Sequence, residues 1–130
     1  MPTEKEVKDM FKEEVETFIA VFPRVKGVRF VVEAKHYRDS PRKRDIAWYD
    51  TNEHSIHLIR AALSRSLDCL RGVIRHELGH VADARINSPG AERRADSLAE
   101  KATGKPILYT AEGLQHATRG EAYRPDWLHQ

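Results

Sequence analysis

Cysteine is nearly absent from this 130-residue chain: Cys69 stands alone, so no intrachain disulfide is available. The chain must be held by its core, and a lone thiol favours a reducing, cytoplasm-like compartment. Long apolar runs are missing too. No segment approaches the roughly 20 apolar residues needed to span a bilayer, and the opening MPTEKEVKDM lacks the apolar stretch of a secretion signal. A cytoplasmic protein with no membrane partner is the expectation. Nor is there an excess of one charge: 22 basic against 20 acidic residues leave +2, with the two kinds interspersed. That balance gives no general attraction to nucleic acid. The one dense basic cluster, Arg38, Arg42, Lys43 and Arg44 in YRDSPRKRD, reads as a solvated loop before a phosphate-binding patch. With no nucleic-acid-reading motif in view, nucleic acid is not an expected partner.

What is present is the patterning of a folded protein. At 40% apolar and 32% charged residues, the composition fits one α+β domain over residues 1–130 with a modest core. Thr3 and Glu6 have capping-box spacing, and Val7, Met10, Phe11, Val15, Phe18, Ile19 and Phe22 recur with helical period up to Pro23. VRFVVEAKHY (28–37) reads as a strand with Val28, Phe30 and Val32 inward. IAWYD (46–50) and SIHLI (55–59), separated by TNEH, suggest a hairpin, making a small and mostly antiparallel sheet. SLDCLRGVIRHELGHVADAR (66–85) reads as one helix, capped by Ser66, with Leu67, Leu70, Ile74, Leu78 and Val81 as its buried stripe. NSPG (87–90) breaks it and starts another, with Ser88 as cap, Pro89 in the first turn, and Gly104 at the end. Ala91, Ala95, Leu98 and Ala102 form that helix's apolar edge. The segment from Lys105 onward is irregular in pattern.

The chemistry concentrates in RHELGHVADAR (75–85). His76 and His80 lie four apart, one helical turn above another, so their imidazoles can converge on one ion, and neutral imidazole suits zinc. Glu77 sits to the side of that pair, where a general base can reach water without ligating. By chance alone this composition yields His-Glu-any-any-His about 0.03 times. Two nitrogens leave a zinc site incomplete, since catalytic zinc normally has three protein ligands. Glu92 and Asp96 in AERRAD are again four apart, on a helix that the short turn would fold back beside the first. Glu92 is the candidate third ligand, and Asp96 can hold the outer N–H of His76 or His80. Asp83 is the rival ligand, on the same helical face as both histidines. Its short same-helix carboxylate has poor reach, which suits a supporting or helix-packing role.

HELGH (76–80) followed by ERRAD (92–96) resembles the gluzincin group of zinc metallopeptidases, and most of all its minimal members and bacteriophage-encoded metallopeptidases, over about residues 28–105. The resemblance implies a zincin-like fold with an active-site helix followed by a glutamate helix. It implies one Zn2+ on His76, His80 and Glu92, with Glu77 as base and Asp96 in support. IAWYDTNEHSIHLIRAAL is similar to the hairpin that such proteins carry above the cleft, where an edge strand takes an extended peptide by strand addition. Carried over, Ala47, Trp48 and Tyr49 are the substrate-binding candidates, core packing of Trp48 and Tyr49 being the alternative. Larger members supply an oxyanion donor from a separate domain for which this chain has no counterpart. Tyr109, His116, Arg119, Tyr123 and His129 lie in the C-terminal segment that could fold over the cleft, each more ordinarily a surface or packing residue. His36, His54 and His57 read as histidines without a site role.

The implied activity is hydrolysis of a peptide or protein substrate. The alternative is a low-activity or single-target module of the same fold, acting in regulation or phage assembly. Nothing in the sequence sets the oligomeric state or the cleavage preference. Cobalt or nickel would suit the same ligands as zinc except in availability.

Overall fold

A computed structural model describes residues 1–34 and 46–105. The chain enters α1 (Glu4–Ile19) through the reciprocal bonds that its capping-box spacing predicts. Thr3 Oγ1 accepts from the Glu6 N–H at 3.1 Å, and Glu6 Oε1 accepts from the Thr3 N–H at 2.8 Å. Val7, Met10, Phe11 and Phe18 are buried along its inner face. The helix ends at Ala20, short of Pro23, which instead opens a 3-10 turn, Pro23–Val25. A missing N–H costs nothing at the first helical positions.

Three strands follow: β1 (Arg29–Glu33), β2 (Ala47–Asp50) and β3 (Ser55–Ile59). β2 and β3 form the expected hairpin, pairing Ala47 with Leu58 and Asp50 with Ser55. Asp50 Oδ1 accepts from the N–H groups of Asn52 and Glu53, and His54 takes a left-handed conformation (φ 52°), which together turn the chain. The sheet is not mostly antiparallel, however. Its order is β1-β3-β2, and β1 runs parallel to β3, Arg29 pairing with Ser55 and Glu33 with Ile59. The intervening chain, with β2 in it, lets β3 come in between its predecessors, an arrangement that strand spacing alone does not specify. Among the described residues β3 is therefore central, with all five residues buried, and β1 and β2 are its flanking strands. Val28 is buried as expected, and Phe30 stacks on Phe11 of α1 with ring centroids 4.8 Å apart.

A second 3-10 turn, Arg60–Ser64, leads to α2 (Leu67–Ala82), where Ser66 Oγ accepts the Cys69 N–H as its cap. Of the expected stripe, Leu70, Ile74, Leu78 and Val81 are buried and Leu67 is half-buried, but Cys69, Gly72 and Val73 are buried as well. α1 packs on one side of this helix, β2 on another, and α3 (Ala91–Thr103) on a third. A helix enclosed on several sides loses the one-sided pattern of a surface helix. α3 starts later than its sequence suggests, with left-handed Gly90 as N-cap and Pro89 outside, and it ends at left-handed Gly104. No helix among the described residues is long and apolar enough to cross a membrane.

One buried charge joins α1 to α2. Glu14, on the inner face of α1, accepts from Arg71 Nη1 at 2.6 Å and from Arg75 Nε and Nη2 at 2.7 and 3.2 Å. The carboxylate is buried and both guanidiniums keep partial access to water. Removing it leaves two half-buried cations without their shared carboxylate. Glu14→Ala is expected to lower unfolding free energy by about 2–3 kcal/mol, and Glu14→Gln by less, both read from urea denaturation.

Candidate metal centre

The site is built where α2 and α3 touch. Gly79 lies against α3 so closely that a Cβ there would overlap the Ala95 carbonyl oxygen and come within 2.9 Å of the Ala95 Cα. Ala95 and Ala99, both fully buried, keep the facing side of α3 equally slim. This near backbone-to-backbone contact sets the depth at which the carboxylates of α3 meet the imidazoles of α2.

His76 Nε2 and His80 Nε2 converge on one atom, Glu92 Oε1, at 2.9 and 3.1 Å. Their rings stand edge to face, 4.7 Å between centroids. The other nitrogen of His76, Nδ1, donates to Asp96 Oδ1 at 2.7 Å. Glu92 and Asp96, one turn apart on α3, therefore take the two ends of the same imidazole. The residues singled out as a ligand set, His76, His80 and Glu92, have donor atoms within 4.8 Å of one another.

Two further atoms are informative. Glu77 Oε2 and His80 Nδ1 are buried and have no hydrogen-bond partner among the described residues. A buried carboxylate oxygen without a partner is costly and calls for a ligand or a task. Glu77 is 2% exposed, and its charge acts on His76.

Burial is the largest single influence on His76 and works against its protonation. The bonds to Asp96 and Glu92, with the charges of Asp96 and Glu77, outweigh it and lift the pKa to about 10. In the metal-free protein both ring nitrogens then donate, Nδ1 to Asp96 and Nε2 to Glu92.

These residues suit a divalent cation of zinc type. Two imidazoles and one carboxylate are the donors of many catalytic zinc sites, and ligand bonds near 2.0–2.1 Å imply donor separations of about 3.3 Å in a tetrahedron. The observed 2.9 and 3.1 Å are a few tenths shorter, a gap that small side-chain adjustments close.

Asp83 behaves differently from its helical projection. It caps α2 in extended conformation, off the helical face, and both of its oxygens are taken: Oδ1 accepts the Arg85 N–H at 2.8 Å and Oδ2 accepts Arg94 Nε at 3.0 Å. It is engaged in the turn: its backbone N–H donates to the His80 carbonyl at 3.1 Å, and its carboxylate is held by Arg85 and Arg94 rather than turned to the imidazoles. On β2, Ala47 is buried, Trp48 stacks flat on His57 at 5.2 Å, and the Tyr49 hydroxyl bonds His54 Nδ1 at 2.7 Å. Arg38 to Arg44, His36, and the oxyanion candidates Tyr109, His116, Arg119, Tyr123 and His129 lie outside the described residues.

Sequence reasoning missed Gly79 and the polar network of His57. The glycine stands inside HELGH, and only its contact with Ala95 reveals its role. His57 Nδ1 bonds Glu33 Oε2 at 2.6 Å and Nε2 bonds Ser55 Oγ at 2.8 Å, although neither partner is near it in any recognisable motif. His57, Glu53 and Asp50 form a second group with metal-compatible spacing. Its imidazole nitrogens already have partners, and Asp50 already caps the hairpin turn.

Comparison with protein-family models, with curated proteins and with solved structures gives no match to this chain.

Gly79→Ala is expected to push α3 away and cost about 1–3 kcal/mol of stability, with weaker divalent-cation binding, measured by urea denaturation and metal titration. A pH dependence follows from His76. Its folded pKa lies above the ordinary 6.5, so the stabilisation is full below 6.5 and is lost as pH rises toward about 10. In chelator, the parent protein should lose stability over that window and His76→Gln should lose much less, as read from urea midpoints at successive pH values.

Proposed function

We propose that this chain is a zinc-dependent peptidase of zincin type, hydrolysing peptide bonds with Glu77 as general base. The observation that carries the proposal is the convergence of His76 Nε2 and His80 Nε2 on Glu92 Oε1, with Asp96 holding the far side of His76. Zinc, when bound, supplies a Lewis acid that brings the pKa of water from 15.7 toward about 7 and polarises a carbonyl.

The chain's own groups do the rest. His76 and His80 would hold the ion as neutral imidazoles, and Glu92 as a carboxylate. Asp96 accepts the Nδ1–H of His76, which leaves Nε2 free of its proton and more basic. Glu77, with an oxygen already bare and buried, takes a proton from water and passes it to the leaving amine. Because ligation requires His76 to give up the proton it holds up to about 10, binding should strengthen as pH rises toward that value.

Among the described residues β2 is an edge of the sheet and packs against α2, so its outer main-chain groups are suited to pairing with an extended peptide. Trp48 and Tyr49 are engaged with His57 and His54, which makes the backbone of Ala47–Tyr49 the binding element. The single buried thiol, Cys69, accords with action in the cytoplasm.

Glu77→Gln is expected to retain one zinc per chain and lose turnover by about 100- to 10,000-fold, whereas His80→Ala should lose both. Metal analysis and cleavage of a panel of unstructured proteins measure the two properties separately. A fully active Glu77→Gln protein would refute the mechanism.

A further inference from the structure

Glu92 sits in the first turn of α3, where a helix is least secure. The N-cap of that helix is Gly90, which contributes no side-chain bond to the free N–H groups. Something else must fasten the turn, because a ligand on a fraying end cannot keep its distance from two imidazoles.

Arg94 does so. Nε donates to Asp83 Oδ2 at 3.0 Å, reaching the C-cap of α2. Nη1 donates to the Pro89 carbonyl at 2.6 Å. Nη2 donates to the Arg85 carbonyl at 2.6 Å, the Ser88 carbonyl at 3.2 Å and Ser88 Oγ at 2.8 Å. One guanidinium thus gathers the end of α2, the connecting turn and the start of α3. It stands midway in sequence between Glu92 and Asp96. Only a planar, multiply donating group can serve partners so dispersed, and a lysine ammonium cannot span them.

We propose that Arg94 is the positioning residue for Glu92. By fixing the turn between the two helices, it sets the separation of the third donor from His76 and His80. Asp83 is the other half of this fastening rather than a ligand. The proposal rests on the metal-site assignment above, and it concerns placement of a ligand rather than contact with substrate.

The test uses the full chain stripped of metal and titrated with cobalt(II) alone, reading dissociation constant and visible d–d absorption. Arg94→Ala and Arg94→Lys should each bind cobalt about 10- to 100-fold more weakly, with altered d–d bands. Asp83→Asn, which spares the carbonyl bonds, should lose less. Glu14→Gln, destabilised at a distance, should bind within about threefold of the parent and keep its spectrum. If Arg94→Ala does not fold by circular dichroism, Arg94→Lys carries the comparison. Binding within threefold and an unchanged spectrum in the Arg94 variants would overturn the proposal while leaving the metal site standing. Equal loosening in Glu14→Gln would reduce Arg94 to a general stabiliser. A parent protein that binds no cobalt would remove the metal site, and this inference with it.

Discussion

The contact between Gly79 and Ala95 is the constraint on which the rest of the molecule depends. A side chain at Gly79 would separate α2 from α3 and carry the carboxylates of α3 away from the imidazoles. With the gap closed, Glu92 and Asp96 arrive at opposite ends of one imidazole. Small residues in this position are part of the site's geometry as much as the charged ones. Dense packing transmits any displacement here directly to the donor atoms.

Most of the buried polar side chains among the described residues gather around α2. His76, Glu77 and His80 lie on it, Asp83 caps it, and Glu14 and Asp96 reach it from neighbouring helices; all six are buried. Most are satisfied by partners: Glu14 by Arg71 and Arg75, Asp83 by Arg94, and Asp96 by His76. Among these six residues, the atoms left bare belong to Glu77 and His80. That contrast separates the two histidine clusters. Around His57 each ring nitrogen meets an ordinary partner, as expected of a network that stabilises a sheet. Around His80 the set is less complete, with Nε2 on Glu92 and Nδ1 bare.

α2 is at once the most enclosed helix and the carrier of the proposed chemistry. It packs against α1, β2 and α3, so the imidazoles are mounted on the most buried helix among the described residues. Sites on such elements keep their geometry better than sites on loops. The cost falls on the first turn of α3, which has no side-chain cap and relies on Arg94 instead.

Local sequence determined the elements. The Thr3–Glu6 box, the Ser66 cap, the apolar period of α1 and α2, and the hairpin around TNEH are all short-range features, and all appear where their residues place them. The pairing of His76 with His80 was equally legible, because a spacing of four on a helix is itself a geometric statement. Tertiary structure alone decided what depends on how elements meet. The parallel pairing of β1 with β3 follows from strand order, which period and turn residues do not encode. Asp83 left the helical face because its carboxylate is drawn to Arg94, eleven residues away. Glu14 turned inward because two arginines of α2 face it. In each case a long-range partner outweighed the local pattern, since burying a charge is tolerable only where its counterpart waits.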